Sequence, residues 1–402
     1  MTPHVAVVIN DGAMANYDDL FFDHELFSSP EHRIFRESIR RFMVNEMAPR
    51  AREFDAIGRI DKAMYPKLGA LGVLGIRYDP AYGGGGLDYT YTAIYAEELA
   101  FCDNAGVSMG IMDHTDMATP ALAEFGSEDL KRRYLAPAIR GDMVGAIGVT
   151  EPHAGSDVAA IKTRAVRKGD DWIINGSKMY ITNISHADFM CLLAVTDPDA
   201  GYGGYSQIIV PVDAPGVSYT LLDKIGNLGS DTGAVYLEDV RVPLTNTIGE
   251  VGRGFQQQMV QFQDERLVAL LASNAASLLL WHKTLDYCKD RHVFGKPLTK
   301  FQVSQFKFVD MLMRIQAARE LGYSCVRKRN RGEDATQEIS MAKIFCIEVA
   351  QQVASTCVQL HGGAGYMKEN PAGRAFIDSR LASIGGGADE VMMQIVAKTL
   401  GL

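Results

Sequence analysis

Lys168-Gly-Asp-Asp-Trp-Ile-Ile-Asn-Gly-Ser-Lys-Met-Tyr-Ile-Thr182 sets two turn signals, Lys168-Gly169-Asp170 and Asn175-Gly176, beside the strand-forming runs Trp172–Ile174 and Lys178–Thr182. Both residues of Asn-Gly tolerate the positive φ of a type I′ turn, so the segment predicts a hairpin turning at Asn175-Gly176. Outward from it, Ile161–Arg167, Phe189–Val195, Gln207–Val212 and Val235–Val242 are runs of the same kind, and Gly145 to Pro243 predicts an antiparallel β-domain. The flanks follow a helical period. At Ser28-Ser29-Pro30-Glu31 a capping residue, an early proline and a first-turn acid coincide; Ile34, Phe35, Ile39, Phe42, Met43 and Met47 then recur at three- to four-residue steps. Further helices are predicted over 61–75, 88–102, 105–125 and 127–139, broken by the glycines 83–86. After Gly252-x-Gly254, long helices are predicted over 255–290, 300–330 and 336–361, with shorter ones over 371–382 and 389–399. The order is helical, β, helical, an α+β chain that is mainly α. Its expected divisions are an extension (1–27), a helical domain (28–144), a β-domain (145–245) and a C-terminal helical bundle (246–402). The alternating order of a parallel βαβ sheet is absent.

Composition narrows the function classes. The 402 residues exceed what one hydrophobic core usually serves, and 22% charged residues with no long apolar run support neither disorder nor a membrane span. A formal charge of −9 argues against a nucleic-acid partner, because binding to phosphate backbones draws on clustered Lys and Arg. Cys102, Cys191, Cys288, Cys325, Cys346 and Cys357 include no C-x-x-C pair and read as reduced core thiols. Residues 1–32 hold no Lys or Arg but carry Asp11, Asp18, Asp19, Asp23, Glu25 and Glu31, the wrong charge for a transit peptide, so the expected location is cytoplasmic.

No glycine cluster fits G-x-G-x-x-G between strand and helix, no P-loop or H-E-x-x-H occurs, and the histidines show no ligand spacing. Gly106-Val-Ser-Met-Gly110 matches the G-x-S-x-G nucleophile elbow. A hydrolase using Ser108 would need a strand before it and a helix after it, whereas the preceding segment reads as helix. More informative is Gly145-Ala-Ile-Gly-Val-Thr-Glu-Pro-His-Ala-Gly-Ser-Asp157, followed by Asn175–Asn183. Thr150, Ser156 and Thr182 offer hydroxyls there and Tyr180 a ring face, which suits a flat polar ring system; the bland alternative is ordinary loop chemistry.

Together with Glu265-Arg266, Arg291-His-Val-Phe-Gly-Lys-Pro-Leu298, Phe301-Gln302, Gln359-Leu-His-Gly-Gly-Ala-Gly-Tyr366, Glu369-Asn-Pro371 and Ile384-Gly-Gly-Gly-Ala-Asp-Glu-Val391, these stretches resemble the acyl-CoA dehydrogenase family over nearly the whole chain. The resemblance implies that family's fold: an N-terminal helical domain, a middle antiparallel β-barrel-like domain and a C-terminal four-helix bundle. It also implies FAD as cofactor. Ile147, Gly148, Val149, Thr150 and Ser156 are expected to meet the flavin and its ribityl chain, and Tyr180, Ile181 and Thr182 to cover the ring. Many relatives have tryptophan where Tyr180 stands. Arg291, Phe294, Gln302 and Gln359, Leu360, His361, Gly362 and Gly363 are expected to grip the pyrophosphate and adenosine of an FAD bound mainly by a neighbouring subunit, with Ala388, Asp389 and Glu390 also on the cofactor. Such sharing implies a homo-oligomer, a dimer of dimers in this family. Ser156, Gln263, Arg266, Gly386 and Gly387 are expected at the substrate, and an electron-transfer flavoprotein is the expected acceptor.

Many relatives place the catalytic Glu at the position matching Gly386, where this chain has no side chain. The long-chain and isovaleryl-type relatives take their base from the position matching Glu265, which is therefore expected to remove the α-proton. Burial there would raise its pKa toward working pH, and the Gly386 amide would hold the thioester carbonyl. The bland reading of Glu265-Arg266 is a solvated charge pair. Ser383–Met392 and Met117–Ala121 resemble the citronellyl-CoA dehydrogenase subgroup, and a glycine at 386 leaves room for long or branched acyl groups. Gly106–Met117 is either acyl-tunnel lining or helix core with Met packing. An acyl-CoA oxidase shares nearly all of these residues. A non-catalytic, nucleic-acid-associated relative is disfavoured by the acidic balance.

Overall fold

The computed structural model describes residues 24–402, so the expected extension over 1–27 lies almost entirely outside the described residues. Two units divide the chain. One comprises residues up to Arg52, Asp88–Ala105 and Arg266–Leu402, and the other Glu53–Leu87 and Gly106–Glu265.

The first unit is helical. Ser29 caps the helix Pro30–Phe42 by accepting from the His32 amide at 3.2 Å, and Pro30 opens it, as the sequence signals require. With it belong Tyr89–Glu98, Gln302–Asn330, Thr336–His361, Pro371–Asp378, Asp389–Thr399 and the later part of Gly254–Asp290. Ile39, Met43, Tyr95, Leu99, Ile315, Tyr323, Cys346 and Val353 are buried here. An ionic cluster lies among them. Arg36 meets Glu97 at 2.6 Å and Glu98 at 2.9 Å, Arg40 also bonds Glu98, and the Tyr323 hydroxyl donates to Glu97. Burial opposes the charge on Arg36, but the two carboxylates outweigh it and drive the guanidinium pKa up.

The second unit carries the sheet, in the order β6–β7–β3–β2–β4–β5–β8 with β1 paired to β4. Its strands are β1 Gly145–Gly148, β2 Arg164–Lys168, β3 Asp171–Thr182, β4 Phe189–Val195, β5 Tyr205–Pro211, β6 Val217–Leu221, β7 Thr232–Pro243 and β8 Thr247–Ile248. Most pairings are antiparallel, but β1 runs parallel to β4. Trp172, Ile174, Leu192, Ile208, Val235 and Val240 fill its core by strand alternation.

One expectation is corrected here. Asn175-Gly176 does not turn a hairpin; it sits inside the single strand β3, where the register against β7 slips between Ile174 and Gly176. Asn175 instead exchanges bonds with Asp239, its Nδ2 donating to Oδ1 at 3.0 Å and its Oδ1 accepting from the Asp239 amide at 2.9 Å. Of the two residues only Gly176 takes a positive φ, +152°, and it serves a bulge rather than a turn; the real turn is Gly169-Asp170, between β2 and β3. The strand Val217–Leu221 was not among the expected runs, although Val217, Tyr219 and Thr220 are strand formers.

Candidate active site

The helix Ala105–Met112 contains Ser108 and continues as wider π turns over Asp113–Ala118. The element before this helix is the 3-10 helix Leu99–Cys102, not a strand, so the nucleophile-elbow geometry is missing. The π turns bring Asp113, His114 and Asp116 into the interior. His114 is held neutral: its Nδ1 accepts from the Gly145 amide at 3.0 Å and its Nε2 donates to the Ala138 carbonyl at 3.1 Å. Burial lowers its pKa to about 4. The unfolded chain therefore binds the proton first as pH falls, and the stability tied to neutral His114 is present above about 6.5 and lost toward pH 4, worth ~3 kcal/mol. His114→Gln is expected to be destabilised at pH 7.5 and to close most of its gap to the parent by pH 4.5. Urea unfolding at the two pH values checks this, and a gap independent of pH would refute it.

Glu265 lies on the helix Gly254–Asp290 and is buried, with 9% of its surface exposed. It is not the solvated charge that an isolated Glu-Arg pair suggests. Its carboxylate acts on Asp113, itself 2% exposed: burial raises the Asp113 pKa well above the usual carboxylate range, and the charges of Glu265 and Asp231 raise it further. Asn183 fixes this neighbourhood, its Nδ2 donating to the Gly110 carbonyl at 2.8 Å and to Asp113 Oδ2 at 3.2 Å. The turn carrying Glu265 is braced by its sequence neighbour Asp264, which accepts from Arg77 at 2.8 Å. Burial also pushes Asp116 up, to about 7.

The expected flavin residues of this unit gather on β1, the loop after it and the end of β3. Ile147 and Gly148 lie on β1, Val149 and Thr150 follow, and the Thr150 carbonyl accepts from the Met179 amide at 2.8 Å. Tyr180 has φ +63° and leaves 67% of its surface exposed, an aromatic face turned away from the core. Ile181 is buried and Thr182 half-buried beside it, and Ser156 is exposed. The hydroxyls of Thr150, Ser156 and Thr182 take no partner among the described residues. An uncovered aromatic ring and hydroxyls left without protein partners on neighbouring segments fit a flat, hydrogen-bonding ring such as the flavin. Gln263 is half-buried on the helix that carries Glu265.

The remaining expected residues belong to the helical unit. Arg266 is buried and its Nε donates to the Gly386 carbonyl at 2.9 Å; Lys343 donates to the Gly387 carbonyl at 2.6 Å. Gly386 and Gly387 have φ of +65° and +95°, and a Cβ on Gly387 would meet Met392 at 2.6 Å, so this loop requires glycine. Ala388, Asp389 and Glu390 begin the helix that follows, with Lys343 3.9 Å from Asp389. Arg291, Gln302, Gln359, Gly362 and Gly363 are exposed, and Phe294 is 97% exposed with φ +47°. Leu360 and His361 are buried; His361 stacks on Tyr287 and its Nε2 lies 3.2 Å from Thr284 Oγ1. Asp113, Asn183 and Lys343 were not among the expected residues, although a carboxyl directly after the apolar stretch Gly106–Met112 is a readable signal for Asp113.

Comparison with known proteins gives the same reading along the whole chain. Models of the acyl-CoA dehydrogenase N-terminal, middle and C-terminal domains match residues 29–142, 146–240 and 252–401. The long-chain specific acyl-CoA dehydrogenase of Sus scrofa mitochondria is 36% identical over 93% of this chain and 87% of that protein. The crystal structure of an acyl-CoA dehydrogenase from Geobacillus kaustophilus superposes with a TM-score of 0.90 at 36% identity, covering 94% of this chain and 99% of that one. A glutaryl-CoA dehydrogenase from Mycobacterium smegmatis, solved in complex with FADH2, superposes with a TM-score of 0.88 at 26% identity over 94% of this chain and 97% of its own. With three consecutive domain models and relatives matched nearly end to end, the chain belongs to the acyl-CoA dehydrogenase family, and it is an oxidoreductase.

Proposed function

We propose that the chain oxidises the α,β bond of a medium- or long-chain or branched acyl-CoA to the trans-2-enoyl-CoA, with Glu265 as the base. The observation that carries the assignment of the base is the burial of Glu265 in a chain whose alternative position, 386, is a glycine. A buried carboxylate with a second carboxyl nearby is poorly solvated, and poor solvation strengthens it as a proton acceptor. Glu265 takes the α-proton. The Gly386 amide holds the thioester carbonyl as negative charge gathers on its oxygen, and Arg266, bonded to the Gly386 carbonyl, keeps that loop in place. Ser156, Gln263 and Gly387 complete the substrate contacts.

FAD, held by Ile147–Thr150, Ser156, Tyr180–Thr182 and Ala388–Glu390, supplies the acceptor for the hydride that leaves the β-carbon. Arg291, Phe294, Gln302 and Gln359–Gly363 would serve the pyrophosphate and adenosine of a cofactor seated mainly on another copy. The exposure of Arg291, Phe294, Gln302, Gln359, Gly362 and Gly363 supports that reading, as does the apolar row Val303, Phe306, Val309 and Met313 on the outside of the helix Gln302–Asn330. We read the assembly as a dimer of dimers, which a sedimentation mass of one chain would refute, the acceptor as an electron-transfer flavoprotein and the compartment as cytoplasmic. The domain divisions at 27, 144 and 245 belong to the same reading.

The test is anaerobic addition of straight and branched acyl-CoAs to the purified protein. Bleaching of the flavin spectrum by at least one thioester is expected, steepest for chains longer than butyryl or branched near the end. No bleaching by any of them would defeat the proposal. Peroxide formed in air as fast as an artificial acceptor is reduced would make the chain an oxidase instead.

A further inference from the structure

Lys178 sits at an inward-facing position of β3, in line with Trp172 and Ile174, and is completely buried. Its ammonium donates to the Val149 carbonyl and to Glu151 Oε1, each at 2.9 Å. Glu151, 3% exposed, spends its other lone pairs on the backbone: Oε1 accepts from the Thr163 amide at 2.9 Å and Oε2 from the Lys162 amide at 2.6 Å. The turn Pro152-His153 is closed by paired Glu151 and Ala154 backbone bonds of 2.9 and 3.1 Å. Burial lowers the Lys178 pKa to about 8 against the pull of Glu151, whereas for Glu151 the lysine and the amides outweigh burial and lower its pKa.

An apolar side chain at 178 would fill the same space without the desolvation that a buried ion suffers. What the ion pair adds is attachment. Through one ammonium and one carboxylate, three separate backbone stretches are joined: the loop leaving β1 at Val149–Glu151, Lys162-Thr163 ahead of β2, and β3 at Lys178 itself. We infer that the Lys178–Glu151 pair is a positioning device for the flavin, setting the backbone from Val149 to Ser156 in its binding conformation before the cofactor arrives. This rests on the flavin reading of those residues given above. Preorganisation of this kind removes the ordering cost that would otherwise weaken binding.

The test compares holoproteins. Lys178→Met/Glu151→Gln replaces the pair by uncharged groups of similar size, and FAD release on dilution is followed as recovery of flavin fluorescence. Release at least ~10-fold faster than from the parent is expected, together with a changed shape of the visible flavin band and unchanged far-ultraviolet dichroism. Release within about twofold of the parent and an unaltered band would overturn the assignment. Should the double variant not fold, Glu151→Asp, which keeps the charge but withdraws the carboxylate by one methylene, carries the same expectation and the same refutation. Faster release accompanied by loss of helix and sheet signal in both variants would make the pair an element of fold stability only, and would also overturn it. A parent protein purified with no flavin and unable to take it up would defeat the functional reading itself, an outcome distinct from a flavin-replete parent matched by its variants.

Discussion

Changing Glu265 to Gln is expected to slow anaerobic flavin reduction by a good acyl-CoA roughly 10²–10⁴-fold, the usual contribution of a positioned general base. The amide keeps the shape and the hydrogen-bonding capacity of the side chain but has no lone pair basic enough to take an α-proton. FAD content is expected to stay at the parent level, because the change does not touch Ile147–Thr150 or Tyr180–Thr182. A second consequence follows from the electrostatics. Part of the elevation of the Asp113 pKa comes from the charge on Glu265, so removing that charge brings Asp113 back toward the ordinary carboxylate range without abolishing the larger contribution of burial. Infrared difference spectra of the protonated carboxyl band across pH would show this. Bleaching of the Gln variant at the parent's rate would mean that another group is the base, and an unmoved Asp113 would mean that the two carboxyls are not coupled.

The largest stability effect is expected at the other end of the chain. Arg36→Met should cost about 3–5 kcal/mol in urea unfolding, because it deletes the guanidinium from a buried cluster and leaves carboxylates behind. Glu97 and Glu98 are almost wholly inaccessible, and among the described residues Arg40 and the Tyr323 hydroxyl are what remains to answer them without Arg36. The helix Pro30–Phe42 would then be held against Tyr89–Glu98 mainly by its apolar residues. A loss smaller than about 1 kcal/mol would show that the pairs do no more than cancel their own desolvation. Such a result would leave the fold intact and remove the ionic account of it.

Much of the fold was legible because its signals are local. The cap at Ser29 and the long helices Gly254–Asp290, Gln302–Asn330 and Thr336–His361 fall within a residue or two of their expected limits; of the expected stripe, Ile39, Met43 and Met47 are buried, but Ile34 is exposed. The misreading of Asn175-Gly176 has a specific cause. The dipeptide supplies positive φ, and positive φ serves a turn or a bulge equally; the choice was made by Asp239, which lies 64 residues away and takes both ends of the Asn175 amide. The candidate site divides in the same way. Motif blocks named the candidate flavin and glycine-loop residues, whereas the burial of His361 against Tyr287 and Thr284 depends on contacts between distant parts of the chain.

By itself the sequence determined the long helices, the β character of the middle of the chain, the family, and the absence of a side chain at position 386, since each depends on residue type and short-range spacing. Only the tertiary structure decided that Glu265 is buried, that Asp113 lies within reach of its charge, and that Lys178 is neutralised by Glu151. The state of an ionisable group depends on the solvent excluded around it and on the charges brought near it, and both are fixed by contacts between residues far apart along the chain.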